Sequence, residues 1–446
     1  MASRNSNPVR LLALGLIVAA PLAAQTPAPV PSPLRLSFAE TVRRAAGEAP
    51  AVELAGLRTD EAEARARQAR AALLPSLSAT AGWVNRDFNS KAQGISFPGV
   101  PTIIGPFNAY DARLRVTQTL FDLSSMARVR AAHAQVTGAS ADGGATAEGA
   151  AANAAFAYLR AARAAAVVAA RQADSAIAAE LVGLAQAQKA AGVSAAIDVT
   201  RARTQLVVAE GALVVARNQL DRGRLDVTRV LGLDPTTALE LTDTLRATLP
   251  GADVPAAPDA IVALALARRP DLEAELARGD AARAGKSAIT AERLPRLDAA
   301  ADYGVSGLTP SLAVGTRQVG VQVTIPILDG FRREGRAAEQ AAVARESEVR
   351  ARDLRHQVAA DVQAALLDQA SAEAQQVIAA ERLRLAADEL AQARERFAAG
   401  VAGNIEVIDA QSSLLRARDT DIDARFAAAT ARVALAHAAG VARTLH

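Results

Sequence analysis

The chain has 446 residues, 51% hydrophobic and 22% charged, so a sizeable core is within reach and length alone predicts two or three domains. Fifty basic residues nearly balance 47 acidic ones, for a net charge of +3, and no basic block is interleaved with aromatics, which argues against a nucleic-acid partner. Cysteine is absent, which excludes disulfides, thiolate metal sites and cysteine nucleophiles and argues against a lipidated N-terminal cysteine.

The N-terminus reads as a secretory leader over 1–24. Arg4 and Arg10 form a basic start, Leu11 to Ala20 a short apolar stretch, and Pro21-Leu22-Ala23-Ala24 a small-residue cleavage site. The apolar stretch falls short of the ~20 residues that span a bilayer as a helix. A Pro-rich spacer, 25–35, follows with Pro27, Pro29, Pro31 and Pro33. No later segment is long and apolar enough for a transmembrane helix, so a membrane role requires β-strands.

Beyond the spacer the chain repeats itself. Pro50 and Pro75 have counterparts in Pro270 and Pro295 at one offset (270 − 50 = 295 − 75 = 220). Val116-Thr117-Gln118-Thr119-Leu120-Phe121-Asp122 echoes Val323-Thr324-Ile325-Pro326-Ile327-Leu328-Asp329 at 207, and Ala191-Gly192-Val193 echoes Ala399-Gly400-Val401 at 208. Ordered landmarks at near-constant offsets predict a duplication. The repeats are expected at 36–234 and 259–440, with a linker at 235–258, a C-terminal tail at 441–446, and about 13 extra residues (220 − 207) between Trp83 and Val116.

Each repeat reads as a helix, two strands and two long helices. No proline lies between Phe107 and Asp234 or after Pro326, and proline breaks helix interiors. Asp122–Ala190 and Phe331–Ala399 are therefore each predicted as one helix of roughly 100 Å. Such lengths need a coiled-coil partner. Val199, Ala202, Leu206, Ala209, Leu213, Ala216 and Leu220 step by three and four along one seam, as do Leu383, Ala386, Leu390, Ala393 and Phe397. Gly192 and Gly400 mark the reversals. Two features disturb the pattern: Asp421 sits on the expected seam of the last helix, and Gly138, Gly143, Gly144 and Gly149 interrupt the first long one.

The strands alternate. Tyr110, Ala112, Leu114 and Val116 interleave with Asp111, Arg113, Arg115 and Thr117, and Val319, Val321 and Val323 with Gln318, Gly320 and Gln322. The preceding strands carry Leu77, Ala79, Ala81 and Trp83, or Leu297, Ala299, Ala301 and Tyr303. The pattern suits a membrane barrel with Trp83 and Tyr303 as interface aromatics; a half-buried soluble sheet shows the same alternation. Four strands cannot enclose a lumen, so a porous barrel has to draw on several chains.

No chemistry is legible. Gly279-Asp280-Ala281-Ala282-Arg283-Ala284-Gly285-Lys286-Ser287 has five residues between the glycines where a phosphate-binding loop needs four, and it lies in a helical pattern. His133, His356, His437 and His446 lack metal-ligand spacing. Neither metal nor cofactor is expected, and the chain does not read as an enzyme.

From about Leu36 to Gly440 the chain resembles the TolC family of outer-membrane efflux proteins. The most specific pieces are Ala191-Gly192-Val193-Ser194-Ala195-Ala196-Ile197-Asp198-Val199 and Phe397-Ala398-Ala399-Gly400-Val401-Ala402-Gly403-Asn404-Ile405-Glu406-Val407-Ile408-Asp409, with Leu231-Gly232 and Ala439-Gly440 closing the repeats. The resemblance implies a mainly α fold with a β-barrel contribution. Two tandem helix–strand–strand–helix–helix repeats would form long antiparallel coiled-coil hairpins, and three chains would supply a twelve-stranded outer-membrane barrel. It further implies a passive exit duct for efflux or type I secretion, working with a periplasmic adaptor and an inner-membrane transporter, in contact with outer-membrane lipid. By position Glu406 and Asp409 would ring the periplasmic entrance, and Asp198 would join the gate. The basic residue that pairs with Asp198's counterpart in family members is replaced here by Ala402. Gly192, Val193, Gly400 and Val401 would form the adaptor-docking tips. The competing reading is a periplasmic coiled-coil adaptor, which usually carries one hairpin in a β-rich body.

Overall fold

The computed structural model describes residues 33–94, 98–99, 101–245, 252, 254–401 and 403–445. The expected leader lies outside the described residues, as does Ala402.

The chain enters through a three-residue strand, β1 (Leu34–Leu36), and two short helices, α1 (Phe38–Glu48) and α2 (Pro50–Ala71). Ser37 caps α1 by accepting from the Glu40 amide at 3.2 Å. Pro50 then starts a new helix at the position where its missing N–H costs nothing. Two strands follow, β2 (Ser76–Asn89) and β3 (Ile103–Phe121), then the 68-residue helix α3 (Leu123–Ala190) and its return α4 (Ala196–Val230). After β4 (Leu239–Leu241) the order recurs: α5 (Pro258–Arg268), α6 (Pro270–Ala291), β5 (Arg296–Gly307), β6 (Val314–Thr324), the 67-residue α7 (Arg332–Ala398) and α8 (Asn404–Ala438). Both return helices have 35 residues. The false phosphate-loop motif lies inside α6.

An aspartate opens each long helix. Asp122 accepts from the Ser124 amide at 2.9 Å, and Asp329 from the Arg333 amide at 3.1 Å. One glycine of α3 serves close packing: a Cβ at Gly144 would lie 3.2 Å from Pro270 Cβ, where α6 begins, whereas Gly149 has nothing within 4 Å. The seams fold as their spacing predicts. Val199, Ala202, Ala216, Ala386, Leu390, Ala393 and Phe397 are buried, while Val207, Val208, Val214 and Val215 face outward on α4.

β2, β3, β5 and β6 form an antiparallel sheet in that order. Register puts Leu77, Ala79, Ala81 and Trp83 opposite Val116, Leu114, Ala112 and Tyr110, and the same apolar face continues through Tyr303, Ala301 and Leu297 to Val319 and Val323. The other face is polar. There Arg113 reaches Asp302 at 2.9 Å and Asp111 at 2.9 Å. The 14- and 19-residue strands β2 and β3 outrun the 12- and 11-residue β5 and β6. Much of the extra length in the first half is thus strand; β3 runs through Pro106.

The central core was not legible in the sequence. Within the 235–258 linker, β4 pairs in parallel with β1, Leu34 to Leu239 through Leu36 to Leu241. Beside this pair Phe38 and Tyr158 meet edge to face at 5.8 Å, and Val42, Leu159, Ile261, Val358, Val362, Val433 and Leu435 pack around them. Tyr158 donates to the Leu36 carbonyl at 3.2 Å and accepts from the Asp243 amide at 3.1 Å. Burial pushes its hydroxyl up to about 12. The tail folds back here: buried Glu148 accepts from the Ala442 amide at 2.7 Å and pairs with Arg443 at 2.6 Å.

Candidate functional site

The gate and docking residues singled out from the sequence lie at the far ends of the long hairpins, and both tips are built alike. At the end of α3, Gly192 takes φ +76°, its amide donates to the Lys189 carbonyl at 3.0 Å, and the Val193 amide donates to Gln188 at 3.0 Å. At the end of α7, Gly400 takes φ +72°, with donors to Phe397 and Arg396 at 3.0 and 3.1 Å. This left-handed closure satisfies the last carbonyls of a helix, and glycine enters it without a Cβ penalty. The closure throws Val193 and Val401 outward, 66% and 71% exposed, followed by exposed Ile197 and Ile405. The outer rim of the tips is therefore apolar.

The tips touch one another. Gln188 Nε2 donates to the Phe397 carbonyl at 2.9 Å, and Asn404 Nδ2 donates to the Asp198 carbonyl at 3.1 Å. Val193 Cγ1 lies 3.9 Å from where a Cβ on Gly400 would sit. Beneath these contacts Phe397, Leu181, Ala185, Val199, Val407 and Leu414 form an apolar cluster.

The acidic residues behave unlike one another. Asp198 and Glu406 occupy the first turns of α4 and α8, where a carboxylate complements the helix dipole. Glu406 meets Arg396, in the last turn of α7, at 3.3 Å. Among the described residues the Asp198 carboxylate has only a long contact with Arg201, at 3.8 Å. Asp409 is exposed and has no ion pair among the described residues. The tip thus mixes basic and acidic groups. The sequence reading missed Arg396, whose signal was its place directly across the turn from Glu406.

The aromatics flank the sheet's apolar face. Trp83 is 60% exposed and pairs with Tyr110; Tyr303, 63% exposed, pairs with Leu114 and Arg317. Tyr303 lies over Gly315 of β6, its hydroxyl 3.2 Å from where a Cβ would sit. Among the described residues no cluster of His, Asp or Glu is arranged to hold a metal, and no helix is long and apolar enough to cross a membrane.

Comparison with known proteins places this geometry. The Outer membrane efflux protein family model matches residues 41–233 and 261–441. Among curated proteins, Protein CyaE of Bordetella pertussis (strain Tohama I) is 28% identical over 418 residues, 91% of this chain and 84% of that protein. Among solved structures, the outer membrane protein VceC of Vibrio cholerae superposes with a TM-score of 0.74 at 20% identity, over 90% of this chain and 96% of that one. The Campylobacter jejuni CmeC outer membrane channel gives 0.77 at 16% identity, over 91% and 86%. These likenesses extend over almost the whole chain, strands and hairpins together, and the chain belongs to the outer membrane efflux protein family.

Proposed function

We propose that three copies of this chain form a channel-tunnel in the outer membrane, the passive exit duct of a tripartite efflux or type I secretion system. The observation that carries the reading is the sheet. Its edges β2 and β6 are unpaired among the described residues, its apolar face is exposed, and its opposite face is polar. An isolated sheet of that kind is an aggregation hazard. Closing it with copies of itself removes both edges, turns the apolar face to lipid and leaves the Arg113–Asp302 face towards water. Each chain then contributes two tandem repeats, as the recurring element order and matched helix lengths suggest.

The helices support the same closure. α4 and α7 are the outer members of the layered hairpins, and each carries exposed apolar residues at matching height, two pairs on α4 and a pair and a single leucine on α7. Val207 and Val208 lie 11 and 12 residues into α4 (207 − 196, 208 − 196), and Leu385 lies 13 before the end of α7 (398 − 385). Val214 and Val215 lie 18 and 19 residues in (214 − 196, 215 − 196), and Ile378 and Val377 lie 20 and 21 from the end (398 − 378, 398 − 377). An α4 edge meeting the α7 edge of the next copy buries both sets and closes a ring. A single-hairpin adaptor has no use for these features.

In this duct Glu406 and Asp409 face the periplasmic entrance and Asp198 stands behind them. The apolar rim of Gly192, Val193, Gly400 and Val401 receives the adaptor's helical hairpins, and Trp83 and Tyr303 sit at the lipid interface. Energy comes from an inner-membrane transporter. The test is the native mass of protein extracted in detergent from separated outer membranes. A trimer there is expected; a monomer in the soluble periplasm would overturn the reading.

A further inference from the structure

The two strand hairpins share one register. In the first, Leu77 pairs with Val116 and Trp83 with Tyr110; in the second, Leu297 pairs with Val323 and Tyr303 with Arg317. Adding 220 to each β2 residue and 207 to its β3 partner turns the first pairs into the second, so the offsets of the repeat hold residue by residue in the sheet. The junction between the hairpins, β3 with β5, has its own register: Tyr110 to Gly307, Leu114 to Tyr303 and Val116 to Ala301.

In the ring proposed above, on which this inference rests, that junction is made once more between copies, by β6 with the β2 of the next copy. A head-to-tail ring reuses one fit at each step, and here the step inside the chain supplies the fit. Carried across by the two offsets, the β3–β5 register sets Val323 opposite Ala81, Val321 opposite Trp83 and Arg317 opposite Asp87 of the next copy (110 + 207 = 317, 307 − 220 = 87). The helices offer a matching step. α2 packs on α3, α3 on α6 and α6 on α7. Ala274 and Ala277 of α6 are buried, with Ala277 Cβ 3.6 Å from where a Cβ on Gly138 of α3 would sit. Their counterparts 220 residues earlier, Leu54 and Leu57 of α2, stand exposed, as do Val343 and Val349 of α7.

Charge picks out this register. Arg317 lies on the apolar face in line with Val319 and Val321. Asp87 stands at the irregularity of β2 between Arg86 and Phe88, its carboxylate over Gly105. Both are exposed, and neither has an ion pair among the described residues. A lone charge on a lipid-facing strand is destabilising, whereas opposite charges directly across a strand pair stabilise it and a slipped register parts them. We infer that Arg317 pairs with Asp87 of the next copy, at the end of the seam away from the helices, and that this pair fixes the register in which the copies mesh.

The chain lacks cysteine, so paired cysteines report the seam directly in the full protein in outer membranes. Val323→Cys with Ala81→Cys is expected to oxidise to a covalent trimer on a non-reducing denaturing gel. Val323→Cys with Ala79→Cys, or with Trp83→Cys, is two residues out of register, about 7 Å apart and too far for a disulfide, and should run as monomer. Arg317→Glu sets two acids against each other and should lower the temperature at which the detergent-extracted trimer dissociates; adding Asp87→Arg should restore it. A trimer that links through a shifted pair, or through none of these pairs, would overturn the register while leaving the ring standing. Losses that merely add in the Arg317→Glu, Asp87→Arg double variant would overturn the ion pair. A monomer by native mass in the unsubstituted protein would overturn the seam and the proposed duct together.

Discussion

The central core and the hairpin tips join the same two hairpins by different means. At the centre Tyr158, Phe38 and their neighbours are wholly buried, and just below them an ion cluster ties α3 to α8. Arg171 reaches Asp419 at 2.7 Å and Asp174 at 3.1 Å, Asp174 is also held by Arg418, and Arg163 reaches Asp423 at 2.6 Å. At the tips the hairpins share two side-chain-to-backbone hydrogen bonds, an exposed Arg394–Glu180 pair at 3.3 Å, the approach of Val193 to Gly400 and an apolar cluster. Buried contact free energy grows with area and with desolvated polar partners. The hairpins are therefore fastened at the middle and lightly latched at the end, which is the gradient a structure needs if its tips are to part while its body holds.

That contrast can be broken most forcefully at its centre. Tyr158→Ala is expected to cost about 3–5 kcal/mol, the range for emptying a fully buried aromatic site, and to lower the melting temperature of the whole assembly. Tyr158→Phe keeps the ring but strands the Asp243 amide, and should cost about 1–3 kcal/mol in the same melt. Asp174→Ala comes next, at about 2–3 kcal/mol, below the range for a fully buried pair because Arg418 keeps some contact with water. At the tips Gln188→Ala should leave the global melt unchanged and raise amide exchange around residues 185–200, since it deletes one latch bond worth about 1 kcal/mol. The smallest effect is expected from Glu406→Ala with Asp409→Ala. Arg396 already offsets Glu406, so planar-bilayer recordings should show a modest loss of cation preference, steepest at low salt.

Alkaline pH sharpens the comparison. The Tyr158 hydroxyl is raised by burial to about 12 in the folded protein, against about 10 in an unfolded chain. Its contribution is complete below pH ~10 and is lost as pH climbs through ~12. Melting temperature measured across that window should fall more steeply in the wild type than in Tyr158→Phe.

The long-range plan was readable where physics is local or periodic. The absence of proline allows α3 and α7 as unbroken helices, the three–four seams predict the buried faces, and Gly192 and Gly400 stand at the reversals. The parallel pairing of β1 with β4 was out of reach. Three-residue strands carry no period, and their partners are separated by 205 positions (239 − 34). Tyr158 looked like one more residue in an alanine-rich helix, because its role depends on Leu36 and Asp243 arriving from elsewhere. The Arg396–Glu406 contact depends on how the turn after Ala398 brings the two helix ends together, which no period in the sequence reports. Asp421 was visible as a blemish on its seam.

In the proposed outer-membrane duct the unequal strand hairpins would shape the outer rim. β3 pairs with β5 only from Tyr110 onward, while its first residues, from Ile103, continue alone with β2. In a threefold closure that asymmetry makes the outer rim crenellated, with three raised merlons separated by low gaps where the β5–β6 turns lie. If that duct forms, an epitope inserted next to Gly94 should be displayed on intact cells, and a tag detected only after permeabilisation would count against it.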